Sequence, residues 1–328
     1  MIWMSWRQFR TPALAGAAAL AVFGGYLVIL GVRIRHGYGD SLELCHRQGG
    51  GCAAAMTDFQ NSFASQLYFL DAVLLLLPAL IGLFWGAPLV TRELEAGTHR
   101  LIWNQSITRG RWLTVKLLVV GGAGMVLAGV ASLLLTWAAS PFDQVADNRF
   151  STLLFGTRNI VPIAYAAFAF VLGTVTGIVV RRTVPAMALT FLVFVVIQVL
   201  MPNVVRPHLR TPVTAAQPMT AEVVRNLGFL GQHATVAGLK IPGAWVVSGS
   251  QLLAADGEPV DQDSYDNCIN AGFDGVADCI AKLDLHVDIA YQPVDRYWSF
   301  QWLESALFLG LAALLAAVGR WRINGRRT

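Results

Sequence analysis

The chain is short of charge. Of its 328 residues only 13% are Asp, Glu, Lys or Arg, against about 25% in an ordinary soluble domain, while 55% are hydrophobic. Lysine is scarcer still: Lys116, Lys240 and Lys282 are the only three, and they follow Val115, Leu239 and Ala281. A loop that cradles nucleotide phosphates requires Gly-Lys-Ser/Thr, so this chain has no P-loop and is not expected to be an enzyme that hydrolyses ATP. Its six histidines form neither HExxH nor any other metal spacing, and GxSxG does not occur. A metal centre and an intramembrane hydrolase are therefore unsupported. No basic stretch interleaved with aromatics lies away from the apolar runs, so the net charge of +4 does not point to nucleic acid. Internal repeats and low-complexity tracts are also missing.

What the chain has in quantity is long apolar runs. About 20 apolar residues cross the roughly 30 Å hydrocarbon core of a bilayer. Six stretches qualify: Pro12–Val32, Tyr68–Val90, Leu113–Ala139, Ile160–Val180, Val184–Met201 and Phe300–Gly319. Each is too long and too uniformly apolar for an alternating barrel strand, so each reads as a helix. The expected fold class is an all-α membrane protein with six transmembrane helices. The first run exceeds a signal-peptide h-region and reads as a retained span. Before it, Ile2, Trp6 and Phe9 fall at i, i+4 and i+7, which suits a short amphipathic helix in the headgroup layer, the alternative being a frayed start to the first span.

Orientation follows from the basic residues near the span ends. On the side of the two termini lie 13 Lys and Arg against Glu93 and Glu95 alone; the other side carries 11 basic against 16 acidic residues. Both termini are thus expected in the cytoplasm. The cysteines agree with this. There are only four, Cys45 and Cys52 in the first outer loop and Cys268 and Cys279 in the last. Two close pairs confined to outer loops read as disulfides formed in an oxidising compartment. Zinc is the competing reading, but neither pair has CxxC spacing. The outer loops are expected at about Arg33–Leu67 and Pro202–Trp298, the latter long enough to fold by itself, with an Asp-rich second half that Cys268–Cys279 would staple.

Within the spans the chemistry is sparse. Asp71 and Glu304 are the only carboxylates, and intramembrane acids are functional suspects. Both lie about a turn inside the outer boundary, where a wet interfacial position is the first expectation and a proton relay the second. With Gln198 in the outer half of span five they are the candidate substrate-pathway residues. Gly173 and Gly177 form a GxxxG in span four, expected to serve packing within the chain, and Pro78 is expected to kink span two.

The most informative segment, 91–112, links spans two and three on the basic side. Glu93 and Glu95 are followed by Gly97 and Thr98, a turn and an N-cap that would open a short helix through His99–Ser106, with Leu101 and Ile102 as its apolar face. Arg109, Arg111 and Lys116 then return the chain to the membrane surface. The wording Arg-Glu-Leu-Glu-Ala-Gly-Thr-His-Arg-Leu, with Arg109 and Lys116 opening the third span, resembles the ABC-2 family of transport permeases, and most closely a bacterial subgroup of short six-span members. The resemblance extends to the amphipathic lead and the Arg181-Arg182-Thr-Val-Pro-Ala186 link; the long acidic loop between spans five and six departs from the short re-entrant helices many members keep there.

That resemblance implies an ABC-2 permease fold with three regions: 1–201, the lead and spans one to five; 202–298, an extracytoplasmic loop domain; and 299–328, span six and a basic tail. It implies the transmembrane subunit of an ABC exporter in the bacterial cell membrane. Such a subunit would pair with a second permease chain, in a homodimer or heterodimer, and with two copies of a separate ATPase that uses ATP and Mg2+. The coupling residues would be Glu93, Glu95, Gly97, Thr98, Leu101, Ile102 and Arg109. This chain would itself bind no cofactor, and its other partner would be membrane lipid. A membrane sensor or immunity protein using the large loop, or a proton-coupled carrier, are the alternatives.

Overall fold

The computed structural model describes residues 2–48, 52–97, 108–146, 149–225, 227, 229–231, 234–239, 241, 244–270 and 273–325. The chain forms two compact units, Met1–Arg206 with Ser299–Thr328, and Pro207–Trp298. Six of its helical stretches are long and apolar enough to cross a membrane.

In the first unit the helices are α1 (Ile2–Gln48), α2 (Cys52–Ile81), α3 (Pro88–Glu95), α4 (Arg109–Ala146), α5 (Thr152–Thr157), α6 (Val161–Val180) and α7 (Thr183–Leu200), with α11 (Tyr297–Gly325) closing the bundle. Helix α6 is the central post: 78% of its apolar window is buried, against 17% for the first span. A left-handed Arg181 (φ 60°) caps it, and Arg182 then leads directly into α7.

Span two and α6 meet backbone to backbone. A π-turn, Gly82–Gly86, joins α2 to α3. A Cβ on Gly82 would sit 2.6 Å from the Ala169 carbonyl oxygen, and one on Gly177 would sit 2.8 Å from that of Ala87. Only glycine permits this approach, so the GxxxG at Gly173 and Gly177 serves packing within the chain. Helix α2 runs through Pro78 without breaking, and the irregularity falls at the π-turn that follows.

Two expectations are corrected here. The amphipathic lead is no separate helix: α1 is continuous from Ile2 through Pro12, because no glycine or cap interrupts it there. The loop expected at Arg33–Leu67 is mostly helix as well. Helix α1 has 47 residues, about 70 Å at 1.5 Å per residue, which is more than twice the hydrocarbon thickness. Hydropathy ends with the apolar run, whereas the helix continues because Ile34, Tyr38, Phe59 and Phe63 keep packing α1 on α2 beyond it. The Cys45–Cys52 disulfide joins the tips of the two helices, with a Cα–Cα distance of 4.6 Å.

The second unit is α+β. Strands β1 (Val213–Pro218), β4 (Ala244–Gly249) and β5 (His286–Pro293) form an antiparallel sheet in the order β1-β5-β4, and β2 (Phe229–Gly231) pairs with β3 (Thr235–Ala237). Strand β5 alternates as a half-buried strand should: Val287 and Ile289 are buried and Asp288 is exposed. Helices α8 (Ala221–Arg225), α9 (Gln262–Ile269) and α10 (Phe273–Lys282) contribute Val224, Tyr265 and Ile280 to the same core. Asp261 caps α9 by accepting from the Ser264 N–H at 3.0 Å, and that bond holds its carboxyl below the usual range. The Cys268–Cys279 disulfide ties α9 to α10 across 5.4 Å between Cα atoms.

Candidate functional site

The opening residues of the 91–112 link are fastened to two spans. Helix α3 ends at Glu95, and Gly97 takes φ 70° as the chain leaves it. On one side of α3, Glu93 accepts from Lys116 of α4 at 2.5 Å, both side chains largely buried, and the ammonium also lies 4.6 Å from the Trp112 ring centre. On the other side, Glu95 accepts the Thr183 N–H and hydroxyl of α7, each at 2.8 Å, with Thr91 Oγ1 3.0 Å from the same hydroxyl. A carboxylate from one span thereby caps the N-terminus of another. A helix start leaves backbone N–H groups without partners and carries partial positive charge, so an acid is the side chain that suits it. Replacing Glu95 with alanine is expected to speed hydrogen–deuterium exchange at the first amides of α7; Thr183→Val, which keeps the backbone bond, should speed it less. Unchanged exchange in Glu95→Ala would mean that the cap does not hold.

Thr98, Leu101 and Ile102 lie outside the described residues. Arg109 is the first residue of α4.

Two further polar clusters lie in the bundle. Arg158, in the connection between α5 and α6, bonds two carboxylates: Nη1 and Nη2 to Asp71, and Nε to Asp143 at 3.0 Å. Thr157 adds a hydroxyl donor to Asp71 at 2.8 Å. Ser132 of α4 holds this connection through its hydroxyl, whose one proton is shared between the carbonyls of Thr157 and Asn159 at 3.0 and 2.9 Å. In the second cluster Arg206 forms a two-point bond with Glu304, Nε at 2.9 Å and Nη2 at 3.1 Å, and Tyr165 donates to the same carboxylate. The Arg206 guanidinium also lies 4.1 Å from the Phe155 ring centre.

These clusters correct the expectation that Asp71 and Glu304 reach water. Both are fully buried, because Arg158 and Arg206 fold in from the connecting segments and supply the counter-charge that water would otherwise provide. The arginines themselves were missed, since they lie just beyond the apolar runs and count there as loop charge. A lone acid inside a span with an arginine shortly past another span's end is the signal that finds them. Gln198 is half-buried, and its amide nitrogen has no hydrogen-bond partner among the described residues.

A family model described as "ABC-2 membrane transporter related" matches residues 17–206, more than half of the chain. The chain belongs to this ABC-2 family. No curated protein and no solved structure matches it. The matched stretch holds spans two to four and most of the first and fifth, with the π-turn, both fastenings of α3 and the Arg158 cluster, and it ends at Arg206. Membership makes the chain a multi-pass membrane protein and a permease subunit of an ABC transporter, which works with an ABC ATPase as partner. Subunits of this ABC-2 type are in general not catalytic.

Proposed function

We propose that this chain is the transmembrane half of an ATP-driven exporter in a bacterial cell membrane, with both termini cytoplasmic. It would move a small molecule, drug, lipid or peptide outward by alternating access between two permease subunits, identical or not. Two copies of the ATPase bind and hydrolyse ATP with Mg2+, and this chain supplies no catalytic residue. The observation that carries the reading is the double fastening of α3. The acids that open the 91–112 link hold Lys116 of α4 and Thr183 of α7, so a displacement of α3 is passed directly to two spans. The basic residues clustered at this end support the orientation. For the proton-carrier alternative, Asp71 and Glu304 are the acids available, and each is already held by an arginine.

Leu101 and Ile102 test the reading. Burying one such side chain in an ATPase groove is worth about 1.5–3 kcal/mol, or one to two decades in affinity. Replacing both with Asp is expected to release the ATPase on co-purification while the permease remains inserted. Normal association, with normal ATP turnover in the reconstituted complex, would return the link to an ordinary basic loop.

A further inference from the structure

Gly82 and Gly86 press on α6, and the π-turn they bound leaves Phe84 and Trp85 lining two adjoining cavities. Such single π-turns within helices recur at functional sites. The first cavity, about 390 Å³, lies among α1, α2 and α4; Gly16, Ala19, Leu77, Leu80 and Leu127 line it, and none of its lining side chains is charged. The second, about 290 Å³, continues past Phe9, Pro12 and Leu89 to Arg92, Glu93 and Lys116. Together they fall within the range of about 300–1,000 Å³ typical of ligand sites. Trp85 stands at the junction, held edge-on to Phe9 with ring centres 4.8 Å apart.

The charges at the polar end do not cancel. Lys116 is matched by Glu93, whereas Arg92 is exposed and forms no ion pair among the described residues. The groove is therefore amphipathic, an apolar trough ending at one unmatched cation. We infer that it binds an anionic phospholipid of the adjacent leaflet, an acyl chain in the apolar cavity and the phosphate beside Arg92. A phospholipid is the occupant whose chain and headgroup match that division, and a bilayer presents it at high concentration. The inference needs a membrane around the bundle and is independent of ATP-driven transport.

The test is lipid retention by the full chain, delipidated in detergent and titrated with phosphatidylglycerol or phosphatidylcholine, followed by native mass spectrometry. One basic residue at a membrane surface is worth about 1 kcal/mol toward an anionic lipid, so phosphatidylglycerol is expected to be preferred about fivefold. Arg92→Gln should abolish that preference, lowering phosphatidylglycerol retention more than phosphatidylcholine retention. Ala19→Phe, which narrows the apolar cavity, should lower retention of both; if it does not fold, Arg92→Gln decides alone. Equal retention of the two lipids by the parent chain, or a preference that survives Arg92→Gln, overturns the inference. So does disulfide-linked dimer formed by Ala19→Cys with phosphatidylglycerol present, since a second copy would then occupy the groove.

Discussion

Replacing Arg206 with methionine is expected to destabilise the bundle by about 3–5 kcal/mol, the usual cost of removing one partner of a buried ion pair. Glu304 is fully buried, and its two oxygens are satisfied by Arg206 and Tyr165. Without the guanidinium the carboxylate keeps one phenolic donor and no counter-charge, in surroundings made of Phe155, Phe300 and Phe308. Arg206→Met with Glu304→Leu should recover most of the loss, because taking away both charges removes the desolvation cost along with the attraction. The measurement is thermal unfolding of the purified chain in detergent, parent against single and double variants. If the single variant melted like the parent, or the double variant fared worse than the single, the pair would not hold the segment after α7 to α11.

The uneven legibility of this chain has a physical origin. A membrane span announces itself locally, as a run of apolar side chains, and all six were found within the helices that carry them. Where those helices end is not local. Phe59 and Phe63 sit among polar residues and give no hydropathic signal, yet they extend the α1–α2 hairpin by contacts with residues over 20 positions away. The two disulfides were legible because pairing follows from proximity in sequence, 7 and 11 positions, together with the absence of other thiols.

The candidate site divides in the same way. Glu93 and Glu95 stood out as acids on a basic face, which a charge count detects. Their use as anchors for Lys116 and Thr183 depends on the tertiary placement of α3 beside α4 and α7, and no spacing rule contains that. Asp71 and Glu304 were conspicuous as the only acids in their runs. Their burial depends on Arg158 and Arg206, which lie 87 and 98 positions away in the chain.

Arg158→Gln is expected to be at least as damaging as Arg206→Met, at about 3–5 kcal/mol, and Asp71→Asn at the same site much milder. The asymmetry comes from the count of charges. One guanidinium serves two carboxylates, with Arg158 and Asp71 almost wholly enclosed and Asp143 partly open to the surroundings. Removing the arginine leaves two like charges facing each other with no cation between them, while Thr157 remains as a hydroxyl donor to Asp71. Removing the Asp71 charge instead leaves Arg158 paired with Asp143, while an asparagine oxygen can still accept from Thr157. The consequence should be structural as well as energetic. The α5–α6 connection is held by Ser132 and Thr136 from α4 and by the arginine cluster, so losing the cluster removes one of its fastenings. A cysteine introduced at Ser151, ahead of α5, should react faster with a thiol reagent in the Arg158→Gln background and at the parent rate in Asp71→Asn. Thermal unfolding of the two variants gives the order independently. The reverse order, with Asp71→Asn the more damaging change, would mean that the shared Arg158 guanidinium is not what holds the connection in place.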